Sequence, residues 1–83
     1  MEEAVAWDEK VTVVLAEVLQ LPTAVITNDL AMQDVDAWDS LKHMELIAAL
    51  EESFSIQLTF DDIVAMQNVR EIRRVLRERE AAS

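Results

Sequence analysis

Eighty-three residues allow one domain whose core is too small to enclose an enzyme-sized pocket, and a hydrophobic fraction of 52% is that of a folded globule rather than an acidic tail. A formal net charge of -10 argues against nucleic acid and for basic partners, and the absence of cysteine and glycine removes disulfides, thiolate metal sites, cysteine nucleophiles and glycine-rich phosphate loops. No apolar run reaches the roughly 18–20 residues that span a bilayer and Met1-Glu2-Glu3 is no secretory start, so the expectation is a freestanding, monomeric cytoplasmic protein that binds no membrane.

The first helix is predicted from about Ala4 to Gln20, where Ala4, Trp7, Val11, Val14, Leu15 and Val18 recur at three- and four-residue steps. Pro22 stops it. Residues 22–38 show no sustained period and read as a long loop, with Ile26 and Leu30 as apolar pins onto the rest of the fold. A strong helix then runs from Ser40 to about Ser53, opened by Asp39, whose carboxylate suits an N-cap and the helix dipole.

That helix carries two apolar stripes. Leu46, Ile47, Leu50 and Phe54 form the one assigned to the core. Leu41, Met44 and Ala48, interleaved with Glu45, Glu51 and Glu52, form a second, which suits a partner protein better than a core. Thr59 with Asp62 predicts a capped short helix from about Phe60 to Met66, and Asn68 with Glu71 predicts the start of a last helix through about Arg79. Val69, Ile72, Val75 and Leu76 are its inner face, and Arg74 and Glu78 are spaced for an i,i+4 pair. The fold class is all-α, a four-helix bundle of three main helices and a short one, in a single domain over residues 1–83.

Charge is uneven along this chain: five of the seven basic residues lie in the last fourteen positions, leaving 2 basic and 14 acidic residues in 1–69. The terminal arginines are diluted by Glu71, Glu78 and Glu80 and have no interleaved aromatic for stacking on bases, so they read as a solvated face. A calcium loop over Asp34–Glu45 has acids at positions 1, 3 and 12 but Trp38 and Asp39 at positions 5 and 6, where an oxygen ligand and a glycine belong. No metal is expected. Ser40 and His43 share a helix face, yet nothing supplies an oxyanion hole or a cleft, so no catalysis is expected and His43 reads as a surface or boundary residue. On physical grounds Ser40 is then either an accessible hydroxyl suited to covalent modification or an ordinary first-turn residue.

The run Trp38-Asp39-Ser40-Leu41, followed by Met44-Glu45-Leu46-Ile47-Ala48-Ala49-Leu50-Glu51-Glu52-Ser53-Phe54, closely resembles the acyl carrier protein family. That family's motif is Asp-Ser-Leu, then a helix ending in Leu-Glu-Glu, a variable residue and Phe. The resemblance extends over essentially the whole chain in the order of its elements. It implies that Ser40 carries 4'-phosphopantetheine, added from coenzyme A by a phosphopantetheinyl transferase, with cargo held as a thioester. Asp39 would belong to the motif. It implies too that Leu41, Met44 and Ala48 with Glu45 and Glu52 are recognition positions for acyl-loading and acyl-transfer enzymes with basic docking surfaces. Lys42 stands where fatty-acid carriers have an acid, the glycine common before the motif is absent, and Asp36-Ala37-Trp38 is one residue longer. These departures point to polyketide or other specialised-metabolite biosynthesis. A peptidyl, aminoacyl or fatty-acid carrier, or an unmodified carrier-like adaptor, are the alternatives.

Overall fold

A computed structural model describes residues 6–82. They form an all-α bundle of three main helices, α1 (Trp7–Leu19), α2 (Ser40–Phe54) and α4 (Val69–Ala82), with the short α3 (Phe60–Ala65) between the last two. The boundaries follow local chemistry. Asp39 Oδ1 accepts the Lys42 N–H at 2.9 Å at the start of α2. Thr59 and Asp62 exchange a reciprocal pair of hydrogen bonds at the start of α3, and Asn68 Oδ1 accepts the Glu71 N–H at 2.8 Å at the start of α4.

Two helices end in the left-handed conformation without glycine. Gln20 (φ 57°) closes α1 and Ser55 (φ 55°) closes α2. In each case the next amide reaches back across the turn, Leu21 N–H to Ala16 O at 3.0 Å and Ile56 N–H to Glu51 O at 3.2 Å. This satisfies carbonyls that the helix would leave open.

The core is one cluster: Val11, Val14, Leu15, Ala16 and Leu19 from α1, Leu46, Ile47 and Leu50 from α2, Val69, Ile72, Val75 and Leu76 from α4, plus Ile26, Trp38 and Met66. Each large side chain fully buried there contributes roughly 1.5–3 kcal/mol of transfer free energy. Four expectations need adjustment. Helix α1 starts at Trp7, and Ala4 lies outside the described residues. Helix α3 ends at Ala65 rather than Met66, whose side chain is in the core. Helix α4 continues past Arg79 to Ala82. Phe54 is only half-buried, its ring tilted against Trp7 at a centroid distance of 6.2 Å.

The long connection between α1 and α2 is more ordered than its missing period suggested. It contains single 3-10 turns at Thr23–Val25 and Met32–Asp34. Ile26 is buried and Leu30 packs against the core, as expected of pins. A backbone clasp adds what no side-chain pattern encodes: Met32 N–H donates to Gln67 O at 2.8 Å, and Val69 N–H donates to Leu30 O at 2.9 Å. Arg73 of α4 ties the same region to α1, donating to Asn28 Oδ1 at 2.6 Å and Thr12 Oγ1 at 2.7 Å.

Candidate functional site

Ser40 is the first residue of α2 and is exposed. Its hydroxyl has no hydrogen-bond partner among the described residues, while the backbone around it is fixed on both sides. Asp39 caps the helix with its side chain, and its carbonyl accepts the first helical hydrogen bond from His43 N–H at 2.8 Å. The first three amide groups of a helix point outward with partial positive charge, so an anionic group attached at this hydroxyl would be favoured there.

Along α2 the second stripe faces solvent. Leu41 is 71% exposed and Met44 51%, and Ala48, Glu45 and Glu52 are exposed as well. An apolar stripe this open on a helix that already buries Leu46, Ile47 and Leu50 is not needed for packing. Glu51 is not part of the rim: its carboxylate turns inward along the chain and accepts the Leu58 N–H at 2.9 Å, holding the link to α3. Lys42 is not free either, since its Nζ lies 3.0 Å from Glu45 Oε1. One acidic residue beside the apolar stripe is thus partly neutralised from within the helix.

The sequence reading missed two exposed apolar residues on α3, Phe60 at 77% and Val64 at 50%. Nothing in the sequence marked them, because a helix of six residues is too short for a helical period to separate its faces.

His43 is the clear correction. It is buried, at 6% exposure, because both ring nitrogens have partners inside the fold. The indole Nε1 of Trp38, itself 2% exposed, donates to His43 Nδ1 at 3.0 Å. His43 Nε2 lies 3.0 Å from the carbonyl oxygen of Ile63 on α3. With both nitrogens committed, the imidazole cannot serve Ser40 as a base. Three acids of the Asp34–Glu45 stretch, which lacks a calcium-loop pattern, have other partners: Asp34 Oδ2 accepts the Ala31 N–H at 3.1 Å, Asp39 caps α2 and Glu45 pairs with Lys42. No group of three or more His, Asp or Glu side chains among the described residues could hold a metal ion. None of the described helices is long and apolar enough to cross a membrane.

Comparison with known proteins agrees with this geometry. The family described as a phosphopantetheine attachment site matches residues 9–76. The acyl carrier protein of Buchnera aphidicola subsp. Baizongia pistaciae is 33% identical over 72 residues, 86% of this chain and 91% of that protein. The acyl carrier protein of Syntrophobacter fumaroxidans is 29% identical over 80 residues, covering 96% of this chain and 99% of the relative. Among solved structures, the holo acyl carrier protein of Geobacter metallireducens superposes with a TM-score of 0.80 at 28% identity, over 90% of this chain and 86% of its own.

Proposed function

The chain belongs to the acyl carrier protein family, whose members are non-catalytic carriers bearing 4'-phosphopantetheine, and from that premise we propose that Ser40 is its attachment point. The observation that carries this reading is the exposed, unpartnered Ser40 hydroxyl at the capped start of α2, set beside an open apolar stripe. In the modification, Ser40 Oγ forms a new bond to the phosphorus that bears the pantetheine arm of coenzyme A. The bond from that phosphorus to the adenosine bisphosphate leaving group breaks, and the serine proton passes to a base of the transferase. The residues present fit the product: an exposed hydroxyl gives the arm room, and the α2 amino terminus favours the phosphodiester. The arm supplies a terminal thiol on which an acyl group is held as a thioester.

The chain's own contribution is presentation and recognition. Leu41, Met44 and Ala48 form the apolar centre of the docking face, with Glu45 and Glu52 at its rim and Phe60 and Val64 of α3 as further apolar contacts. Its partners are a phosphopantetheinyl transferase and acyl-loading and acyl-transfer enzymes with basic surfaces. We assign the cargo to polyketide or other specialised-metabolite synthesis, in the cytoplasm, with residues 1–83 acting as one carrier domain. What supports the pathway is Lys42, a cation two residues after the serine that changes the charge a partner meets there.

The test is direct. Incubated with coenzyme A and a broad-specificity phosphopantetheinyl transferase, the purified chain gains the mass of one phosphopantetheine group, and Ser40→Ala does not. A gain that persists in Ser40→Ala would move the site elsewhere.

A further inference from the structure

Ser40 lies inside a segment closed on itself by two buried rings. The Trp38 indole and the His43 imidazole, five residues apart, meet at 3.0 Å with centroids 6.1 Å apart, bracketing Asp39, Ser40, Leu41 and Lys42. An indole nitrogen can only donate, so His43 Nδ1 must be the acceptor and carries no proton. The ring proton then sits on Nε2, which donates to the Ile63 carbonyl on α3. One tautomer satisfies both bonds, and no other does. Leaving the buried indole N–H unpaired would cost the desolvation of that group, so the pair favours closure of the segment.

We propose that Trp38 and His43 are positioning residues for the modification of Ser40: their hydrogen bond fixes the backbone that presents the hydroxyl, and the bond from His43 to Ile63 couples that backbone to α3. The inference rests on the Ser40 reading above. Neither ring touches the reacting atoms. Their effect is orientational, setting where the serine oxygen stands relative to the docking face that a transferase grips. The exposed Ser40 side chain has no hydrogen-bond partner among the described residues, so its direction depends on its backbone frame.

Two measurements test this on the full chain. Nitrogen-15 NMR of the wild type reads the tautomer: the expected result is an unprotonated Nδ1, a protonated Nε2, and a scalar coupling between Trp38 Nε1 and His43 Nδ1 across the hydrogen bond. A protonated Nδ1, or no coupling, would overturn the Trp38–His43 hydrogen bond and the positioning role with it. Steady-state modification by a broad-specificity phosphopantetheinyl transferase, followed by intact mass, reads the function. Trp38→Phe keeps an aromatic ring in the core and His43→Leu a side chain of similar size, both lose the bond, and they should lower kcat about 10- to 100-fold while KM stays within about twofold.

His43→Asn, whose amide oxygen can take the place of Nδ1, should recover most of the lost kcat, whereas His43→Gln, which reaches toward Ile63 instead, should recover less. Val13→Ala, on the exposed face of α1, is the control and should match the wild type. Unchanged kcat in a folded Trp38→Phe would overturn the proposal while leaving the Ser40 assignment intact. No mass gain on the wild type would overturn the assignment, and the positioning role with it. Circular dichroism checks each variant's fold, and if His43→Leu does not fold, Trp38→Phe and the Asn–Gln pair decide the outcome.

Discussion

Arg79 grips Asp62 with two hydrogen bonds, Nε to Oδ2 at 2.7 Å and the terminal nitrogen to Oδ1 at 2.8 Å, across seventeen positions of sequence. The same carboxylate also caps α3 through Thr59. One buried acid therefore starts the short helix and fastens the last one to it. The fork geometry suits guanidinium and carboxylate, and lysine could not reproduce it.

This pairing makes stability depend on acid. The Arg79 hydrogen bonds are the largest influence on Asp62 and, with those from Thr59 and the guanidinium charge, outweigh the opposing effect of burial, lowering its pKa from the ordinary 3.8 to about 2. A depressed carboxylate pKa means the stabilisation is fully present above pH 3.8 and is lost as pH falls toward 2. Allowing for solvent around the partly exposed arginine, the contribution is on the order of 1–2 kcal/mol. Urea titrations between pH 7 and pH 2 should show Asp62→Asn less stable than wild type at neutral pH, with the gap closing below pH 3.8. A gap of constant size across that range would mean the charge is not what matters.

A second prediction concerns Ser55. It holds a left-handed conformation at the end of α2 that costs a residue with a Cβ about 1–2 kcal/mol. Ser55→Gly relieves that cost but adds freedom to the unfolded chain, so a net gain of about 0.5 kcal/mol is expected from chemical denaturation. Ser55→Val should lose stability by a larger margin, because a branched side chain crowds that conformation most.

The proposed docking face gives a third. Lys42 sits 3.0 Å from Glu45, so Glu45 would meet a basic partner already partly neutralised, whereas Glu52 has no such neighbour among the described residues. Stopped-flow association with a phosphopantetheinyl transferase should slow about threefold more for Glu52→Lys than for Glu45→Lys at low salt, and the difference should shrink as salt rises. Lys42→Ala, which frees Glu45, should speed association under the same low-salt conditions. Equal effects at all salt concentrations would show that steering is not involved.

What could be read from the sequence was what the chain does over three or four residues. The Asp39 cap, the Thr59–Asp62 exchange and the Asn68 cap each join positions three apart, and the Arg74–Glu78 pair at 2.9 Å joins positions four apart. The faces of α2 and α4 followed from helical period for the same reason. What could not be read were partners that no period links. Asp62 was legible as a cap but not as the acceptor for Arg79. Trp38 lay in a stretch with no pattern, so neither its burial nor its bond to His43 was foreseen, and a lone polar imidazole defaults to the surface unless its partner is known. The residues around Ser40 stood out because Asp39-Ser40-Leu41 and the helix after it match the family's motif, whereas physical reasoning alone left the hydroxyl with two readings. The frame that holds it did not, because it is made by contacts between rings and a distant carbonyl.

The clasp between Ala31 and Asn68 brings the two ends of the stretch 31–68 to one spot on the fold. Everything a transferase would handle lies between them: the serine, the ring pair, the open face of α2 and the whole of α3. Such a stretch has the layout of a cassette. Transplanted into another helical scaffold, it would bring the Met32–Gln67 hydrogen bond with it, and the host would need to provide an apolar surface for Leu46, Ile47, Leu50 and Met66 and an arginine for Asp62.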